Sequence, residues 1–409
     1  MSLFERTITS TIKNTSKTFP VILITGPRQV GKTTVLEMCA EEDRNYVSLD
    51  DFEQRNLAQN DPALFLQYNK TPLIIDEIQY APQLFHYIKI AVDREKINGL
   101  FWLTGSQKFQ LMQGVTESLA GRVAIIELQG FSIAEIQHRA HSLLPFLPTK
   151  KWLNKTKERK PKELLIQELY QRIWKGSYPR VIREKNISIE LFYNSYLQTY
   201  IQRDVRELTQ VADEKKFRDF IRATAARTAQ LLNYSNLAKD VGVDQKTAKS
   251  WLSILETSGL IYLLQPYHNN LSKRLIKTPK LYFLDTGLCS YLTKWSNSQA
   301  LEAGALSGAI LESYVISEIL KSYWYNGQTG YFYFYRDKDL KEVDLLIEQD
   351  NILYPIEIKK SFSPGLSSIK NFPALNKLDK NIGDGAVICL RESDIPISPT
   401  INIIPVAYL

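Results

Sequence analysis

The stretch Gly26-Pro27-Arg28-Gln29-Val30-Gly31-Lys32-Thr33-Thr34 fits the phosphate-loop pattern G-x-x-x-x-G-K-[ST]. Backbone N–H groups of such a loop wrap a polyphosphate, and glycines at its ends let the chain approach closely. Lys32 is expected to neutralise the β- and γ-phosphates, and the Thr33 hydroxyl to hold Mg²⁺. Further along, Leu73-Ile74-Ile75-Asp76-Glu77 ends an apolar run with two carboxylates. Asp76 is placed to orient the Mg²⁺ water shell and Glu77 to polarise an attacking water. The expected ligands are therefore ATP and Mg²⁺.

A second set of reactive side chains lies near the other end of the chain. Glu312 sits beside the apolar stripe of a helical pattern, and Asp344, Glu357 and Lys359 fall in apolar runs that read as strands. Glu357 and Lys359 are two apart, so both point to one face of a sheet. Carboxylates converging from adjacent strands suit Mg²⁺, a hard cation that takes oxygen ligands. With Glu312 completing the set, Lys359 could activate or orient a water for phosphodiester hydrolysis. A cross-strand ion pair on a solvated face would use the same residue types.

A third set opens a helix. Gln245, Lys246, Thr247 and Lys249 follow Asp244, a helix N-cap residue, and the turn Gly242-Val243. Phe217, Phe220 and Ile221 mark a helix before it, and Ser235 is expected to cap another over 236–241. The strand Leu260–Leu264 follows. Three helices and a β-ribbon make a winged helix-turn-helix, whose third helix can enter the major groove of DNA. Trp251, Leu252 and Leu255 are then core positions. The same module also packs against proteins.

The elements that position these residues are readable from pattern. Val21–Thr25 leads into the phosphate loop as a buried parallel strand, and the residues from Thr33 to Ala40 leave it as a helix. Tyr46–Leu49 and Leu100–Thr104 read as further strands, with a helix over 52–68 between them. Residues 142–162 carry three prolines and a run of lysines, and read as a solvated basic linker or a phosphate-backbone contact. Helices are expected over 163–174 and 188–208, then the helix 308–324 and strands at 331–336, 343–347, 352–358, 386–390 and 401–406.

With 409 residues, the chain is expected to fold as about two to four domains. At 44% hydrophobic and 23% charged, it is of ordinary globular composition. No apolar run approaches the length of a membrane span, and the first residues lack a signal-peptide pattern. Cys39, Cys289 and Cys389 form neither a disulfide framework nor a zinc pattern, which points to a reducing, cytoplasmic setting. A net charge of +7 permits an anionic partner such as DNA.

Taken together these motifs resemble a prokaryotic family of AAA-type P-loop ATPases with a C-terminal domain of unknown function. The resemblance rests on Gly26–Thr34, Asp76-Glu77, Thr104-Gly105-Ser106, Ser118–Arg122, Tyr200–Val205, the pair Glu342/Asp344, and Glu357–Lys359. It implies an α/β chain built from a parallel-sheet P-loop NTPase core over 1–141 and a connector with helical lid over 142–215. A winged helix-turn-helix over 216–275 and a PD-(D/E)XK nuclease-like domain over 276–409 complete it. Within that family pattern Ser106, or Gln107, contacts the γ-phosphate or the water, although Ser106 also suits a helix N-cap. Arg122 falls at the place of an arginine finger acting across a subunit boundary, which would make the protein a homo-oligomer. A surface arginine near a helix end is the plainer alternative. Arg203 could sense nucleotide from the lid or form a local salt bridge.

Overall fold

The computed structural model describes residues 4–106, 111, 115, 117–159, 161–200, 213–268 and 278–409. Gln107 and Arg203 lie outside the described residues. Contacts divide the chain into two compact units: Met1–Phe131 with Thr257–Gly259 and Trp324–Gly327, and Ser132–Glu256 with Leu260–Tyr323 and Gln328–Leu409. No helix among the described residues is long and apolar enough to cross a membrane.

The first unit is a five-stranded parallel sheet with strands β1 (Val21–Thr25), β2 (Asn45–Ser48), β3 (Leu73–Asp76), β4 (Phe101–Thr104) and β5 (Val123–Glu127), in the order β2-β3-β4-β1-β5. Every residue of β1, β3 and β4 is buried, as strands covered on both faces must be. Register pairs Ile24 with Thr104 and Ile75 with Leu103, so β1, β3 and β4 end side by side. Loops leaving the carboxyl ends of neighbouring parallel strands meet there, which gathers the phosphate loop, Asp76-Glu77 and Ser106. The helix expected over 52–68 is two helices, Phe52–Asn60 and Pro62–Tyr68. Pro62 cannot continue a helix but can start one, and the Asp61 carboxylate caps the new start by accepting from Leu64 N at 2.9 Å.

The second unit is organised on a mixed sheet, ten-stranded among the described residues. Its strands are β6 (Gln230–Leu231), β7 (Ile261–Pro266), β8 (Lys280–Phe283), β9 (Tyr331–Arg336), β10 (Glu342–Gln349) and β11 (Ile352–Lys359). They continue with β12 (Asn381–Ile382), β13 (Gly385–Cys389), β14 (Ile395–Ser398) and β15 (Ile401–Pro405). The strand β8, expected within the last domain, pairs antiparallel with β6 and β7, next to helices Glu214–Ala225, Tyr234–Val241 and Gln245–Thr257 in the chain. Its neighbour β7 in turn pairs with β9. One sheet therefore runs through both the helix-turn-helix region and the C-terminal region.

Two local readings change. Residues 150–158 form a helix rather than a linker. Thr149 caps it by accepting from Trp152 N at 3.2 Å, and Trp152, Leu153 and Thr156 are buried on one stripe while the lysines cover the rest. The cap of the helix starting at Tyr234 is Asn233, which accepts from Asn236 N at 2.9 Å, and not Ser235.

Candidate functional site

The phosphate loop leaves β1 through Gly26, at φ 141°, where an added Cβ would meet the Leu128 carbonyl oxygen at 1.9 Å. Pro27 is buried, Arg28 half-buried and Gln29 exposed at φ 62°. Val30 is buried, and Gly31, at φ 87°, opens the helix Lys32–Cys39. Only glycine reaches such conformations without strain, and the turn leaves the helix's first N–H groups facing outward for an anion. Thr34 is exposed on the first helical turn. Lys32 is 7% exposed and donates to Gly26 O at 3.1 Å and Pro27 O at 2.9 Å, which holds its ammonium over the loop. Arg6, absent from the sequence reading, is buried and donates to Val30 O at 3.0 Å and Gln129 O at 2.9 Å. It pins the loop from behind. No spacing rule links it to the loop, so no sequence signal marked it.

Asp76 ends β3 with its carboxylate held by three hydroxyls. Thr33 Oγ1 donates to Oδ1 at 2.8 Å, Thr104 Oγ1 donates to the same oxygen, and Tyr46 OH donates to Oδ2 at 3.2 Å. Burial and the Asp76 charge push the Tyr46 phenol up to about 12, so it stays a donor. The adjacent hydroxyl of Thr33 and carboxylate of Asp76 are a donor set suited to a hard divalent cation. Glu77 follows at φ 55°, ψ 45°, a left-handed conformation that a glutamate rarely adopts. Its N–H donates to Thr104 Oγ1 at 3.2 Å, and its carboxylate accepts from Gln79 Nε2. Ser106 is buried at the end of β4, with Oγ 3.5 Å from Gln79 Nε2. Arg122 makes a two-point contact with Asp93, from Nε to Oδ1 at 2.6 Å and from Nη2 to Oδ2 at 3.0 Å. Hydrogen bonding between them lowers the Asp93 pKa and raises that of Arg122.

The second unit draws together the other four site residues. The register of β10 against β9 shifts between Val343 and Leu346, and within that span Asp344 Oδ2 accepts from Ile358 N at 2.9 Å. Leu345 pairs with Ile356, so Asp344 and Glu357 stand one rung further along. Lys359 Nζ lies 2.6 Å from Glu357 Oε1 and 4.0 Å from Asp344 Oδ2. Glu312 enters from the helix Ser307–Trp324 and accepts from Tyr282 OH at 2.6 Å. Two members of this cluster escaped the sequence reading: Lys280 and Tyr282, alternate residues of β8. Lys280 Nζ is 2.5 Å from Glu342 Oε1, 3.2 Å from Glu312 Oε1 and 3.9 Å from Asp344 Oδ1. Period-two alternation would have put both on one face, but nothing local showed that β8 runs beside these carboxylates.

Burial, and then the Asp344 charge, push the Glu312 carboxyl up to about 7 and that of Glu357 up to about 8. Burial acts to lower the Lys280 pKa, but Glu312, Asp344 and Glu342 outweigh it and hold the ammonium charged. Glu357 Oε2 is buried without a hydrogen-bond partner. Among the described residues no group of three or more His, Cys, Asp and Glu side chains is arranged to hold a metal ion. The Lys280 and Lys359 ammonium groups lie among the carboxylates, each within 4.0 Å of Asp344.

On the helix Gln245–Thr257, Gln245, Lys246 and Lys249 are exposed, and Lys249 Nζ stands 5.3 Å from the centre of the Tyr234 ring. Thr247 is half-buried and its hydroxyl donates to Asp244 Oδ2 at 2.6 Å, so it serves the helix cap. Trp251, Leu252 and Leu255 are buried, with Trp251 edge-on to Phe217 and Phe220.

Comparison with known proteins agrees with this geometry. Residues 18–137 match the model of an AAA domain, and residues 166–299 and 307–409 match two domains of unknown function, DUF8612 and DUF4143. The first unit thus carries a parallel-sheet P-loop NTPase core, which over residues 18–137 is similar to an AAA domain. Over 388 residues the chain is 27% identical to Uncharacterized protein Mb2031c of Mycobacterium bovis and to Uncharacterized protein Rv2008c of Mycobacterium tuberculosis, covering 94% of this chain and 80% of each relative. Among solved structures, the Walker-type ATPase PABY2304 of Pyrococcus abyssi aligns at TM-score 0.41 and 15% identity over 71% of this chain and 96% of that one. The Holliday junction branch migration motor RuvB of Thermotoga maritima aligns at TM-score 0.30 and 16% identity over 62% and 88%.

Proposed function

We propose that this chain is a Mg²⁺-dependent ATPase that binds DNA through its second unit. The observation that carries the ATPase part is the 2.8 Å contact between Thr33 Oγ1 and Asp76 Oδ1. It joins the helix after the phosphate loop to the acidic end of β3, where a nucleotide's metal would be held. Bound there by Thr33 and Asp76, Mg²⁺ would supply charge neutralisation between the phosphates. The loop N–H groups and Lys32 bind and orient the polyphosphate, and Glu77 accepts a proton from the attacking water. Lys32→Ala is expected to abolish binding of a fluorescent ATP analogue, and Glu77→Gln to bind ATP without turning it over. Retained turnover in both would overturn the assignment.

DNA binding is supported by the exposed side chains Gln245, Lys246 and Lys249 at the start of the helix after Gly242, in winged helix-turn-helix order. Replacing both lysines with glutamate should weaken duplex binding and flatten its salt dependence by about two phosphate contacts. An unchanged salt slope would remove this surface from the interface.

A nuclease reading of the C-terminal elements, in PD-(D/E)XK-like order, is supported by the closeness of Lys359 to Glu357 and Asp344. Lys280 favours a second reading, in which ATP drives a switch or scaffold that holds DNA or protein uncut. Its ammonium already occupies the contact between Glu312, Glu342 and Asp344, so the cluster as it stands does not fit a metal. Plasmid incubated with Mg²⁺, ATP and wild type or Lys359→Ala separates the two. Equal integrity of the plasmid supports holding, and cleavage by the wild type alone restores Glu312, Asp344 and Glu357 as metal ligands.

A further inference from the structure

We infer that a cavity formed wholly within the second unit is a binding site for a nucleoside monophosphate unit, and that this binding is independent of the phosphate loop.

Four elements of that unit build the cavity. Helix Ile166–Lys175 brings Trp174 in its last turn, helix Ile189–Tyr200 brings Glu190 in its first, and helix Glu214–Ala225 brings Arg222. Helix Thr286–Leu292 and the turn that ends it bring Tyr291, Lys294 and Trp295. The enclosed space is about 440 Å³, in the range of sites for small organic ligands. Its rings are set in advance. Trp174 Nε1 donates to Trp295 O at 2.8 Å. Tyr291 OH donates to Asn194 Oδ1 at 3.3 Å, and its ring stacks on that of buried Tyr193 with centres 5.9 Å apart. Trp174, Trp295 and Tyr291 are all half-buried. Rings already held in this way lose little freedom when a ligand stacks on them.

Lys294 is the residue that packing does not account for. Helix Thr286–Leu292 closes with bonds from Lys294 N to Tyr291 O at 3.1 Å and from Trp295 N to Ser290 O at 3.0 Å. The residue that turns left-handed at such an end is ordinarily glycine, or else asparagine. Here it is a lysine at φ 65°, with an exposed side chain that makes no ion pair among the described residues. A backbone outlier of this kind costs stability and points to a role for the side chain it carries. Arg222 is the second cation. Its side chain is 44% exposed, and its contact with Asp219 is a long 3.5 Å. Burial raises the Tyr291 pKa, Arg222 and Arg218 act to lower it and Glu190 to raise it, so all three charges lie within electrostatic reach of that hydroxyl. Aromatic rings take the flat face of a base, and guanidinium and ammonium groups take a phosphate. Glu190 repels an anion and accepts from an amino group, so the ligand must carry its charge at one end and N–H donors at another. A nucleoside monophosphate meets that demand, with an amino-bearing base and a phosphate on opposite sides of the sugar. It can arrive free or as an unpaired unit of a single strand, and the same chemistry recognises both.

The test uses the full chain carrying Lys32→Ala, which removes competition from the phosphate loop. AMP is titrated by calorimetry, and a short labelled oligodeoxyadenylate by fluorescence anisotropy. Adding Trp174→Ala is expected to weaken binding of at least one probe by about tenfold or more, the loss of one stacking platform. Adding Lys294→Gly should weaken it by about fivefold or more, the loss of one charged contact. That protein should melt no lower than its Lys32→Ala parent, because glycine fits the left-handed turn better than lysine. Weaker binding with undiminished stability is a result that a packing role does not produce. Losses seen with AMP make the free nucleotide the ligand, and losses seen with the oligonucleotide alone make it a unit of a strand; either supports the site. Three results overturn it: neither probe binding at millimolar concentration, Lys294→Gly binding as tightly as its parent, or Lys294→Gly melting below its parent, which would make the lysine structural. L-phenylalanine bound in place of both probes, with the same losses, would make the site one for an amino acid and overturn the nucleotide assignment. If Trp174→Ala fails to fold, Lys294→Gly decides alone.

Discussion

Lys280 Nζ stands 3.2 Å from Glu312 Oε1, at the meeting of a strand that pairs with the helix-turn-helix ribbon and a helix that backs the C-terminal strands. The side chain of Lys280 is 5% exposed and that of Glu312 17%. The pair is a buried cross-link within the second unit, and Glu342 and Asp344 share the same ammonium.

Lys280→Met should therefore be costly. Removing one partner of a buried ion pair leaves uncompensated charge, a loss of about 3–5 kcal/mol. Urea denaturation at pH 8 measures it. The deficit should shrink at pH 5, where the carboxylate of Glu312 is protonated in the fold. A deficit below about 1 kcal/mol, the range of exposed pairs, would show that solvent reaches the ammonium.

The same cluster sets a pH dependence. Glu312 is pushed up to about 7 and Glu357 to about 8, against about 4.3 for an unfolded glutamate. Between these limits the folded chain binds more protons than the unfolded one. Stability from this source is complete below about pH 4 and is lost as pH rises through 7 to 8. Lys280 and Lys359 have raised pKa values and contribute stability that is lost only in the alkaline range. In metal-free buffer, the urea midpoint should fall from pH 5 to pH 8, and Glu312→Gln should fall less steeply. Parallel slopes in the two proteins would contradict the assignment.

Gly26 is held where no side chain fits. With φ at 141° and the Leu128 carbonyl 1.9 Å from an added Cβ, Gly26→Ala forces backbone apart at the mouth of the phosphate loop. The expected loss is roughly 2–4 kcal/mol of stability, together with ATP affinity. Thermal melting followed by circular dichroism, with a nucleotide titration beside it, reads both. An alanine variant that melts with the wild type would mean that the loop relaxes freely.

Arg122 is engaged along one edge of its guanidinium, through Nε and Nη2, by Asp93 of the same chain. An exposed two-point pair of this kind should be local. Arg122→Ala and Asp93→Ala are then expected to keep kcat within about twofold of wild type, since exposed pairs contribute little. An Arg122→Ala protein that is inactive, yet partly rescued by mixing with Lys32→Ala, would instead make Arg122 a finger acting between subunits.

The sequence by itself determined the candidate nucleotide site. Its parts are contiguous, because wrapping a phosphate needs successive N–H groups between glycines and the acidic pair must cap an apolar strand. Asp244 was legible as a cap for the same reason: it bonds the N–H of Thr247, three residues on, at 2.9 Å. The spacing of Glu357 and Lys359 on one face followed from the period of a strand. Tertiary structure alone decided what stands beside these residues. Arg6 behind the phosphate loop and Lys280 among the carboxylates arrive from distant segments by packing, which no local period encodes. The basic stretch 150–158 misled because its composition is that of a solvated linker, while its fold depends on Trp152 finding Phe146, ring centres 4.7 Å apart. The pairing of β7 with β9, which merges two expected domains into one sheet, is likewise a long-range choice. Strand edges carry no sequence label for their partners. Which edges meet is settled only when the helices that cover them have packed.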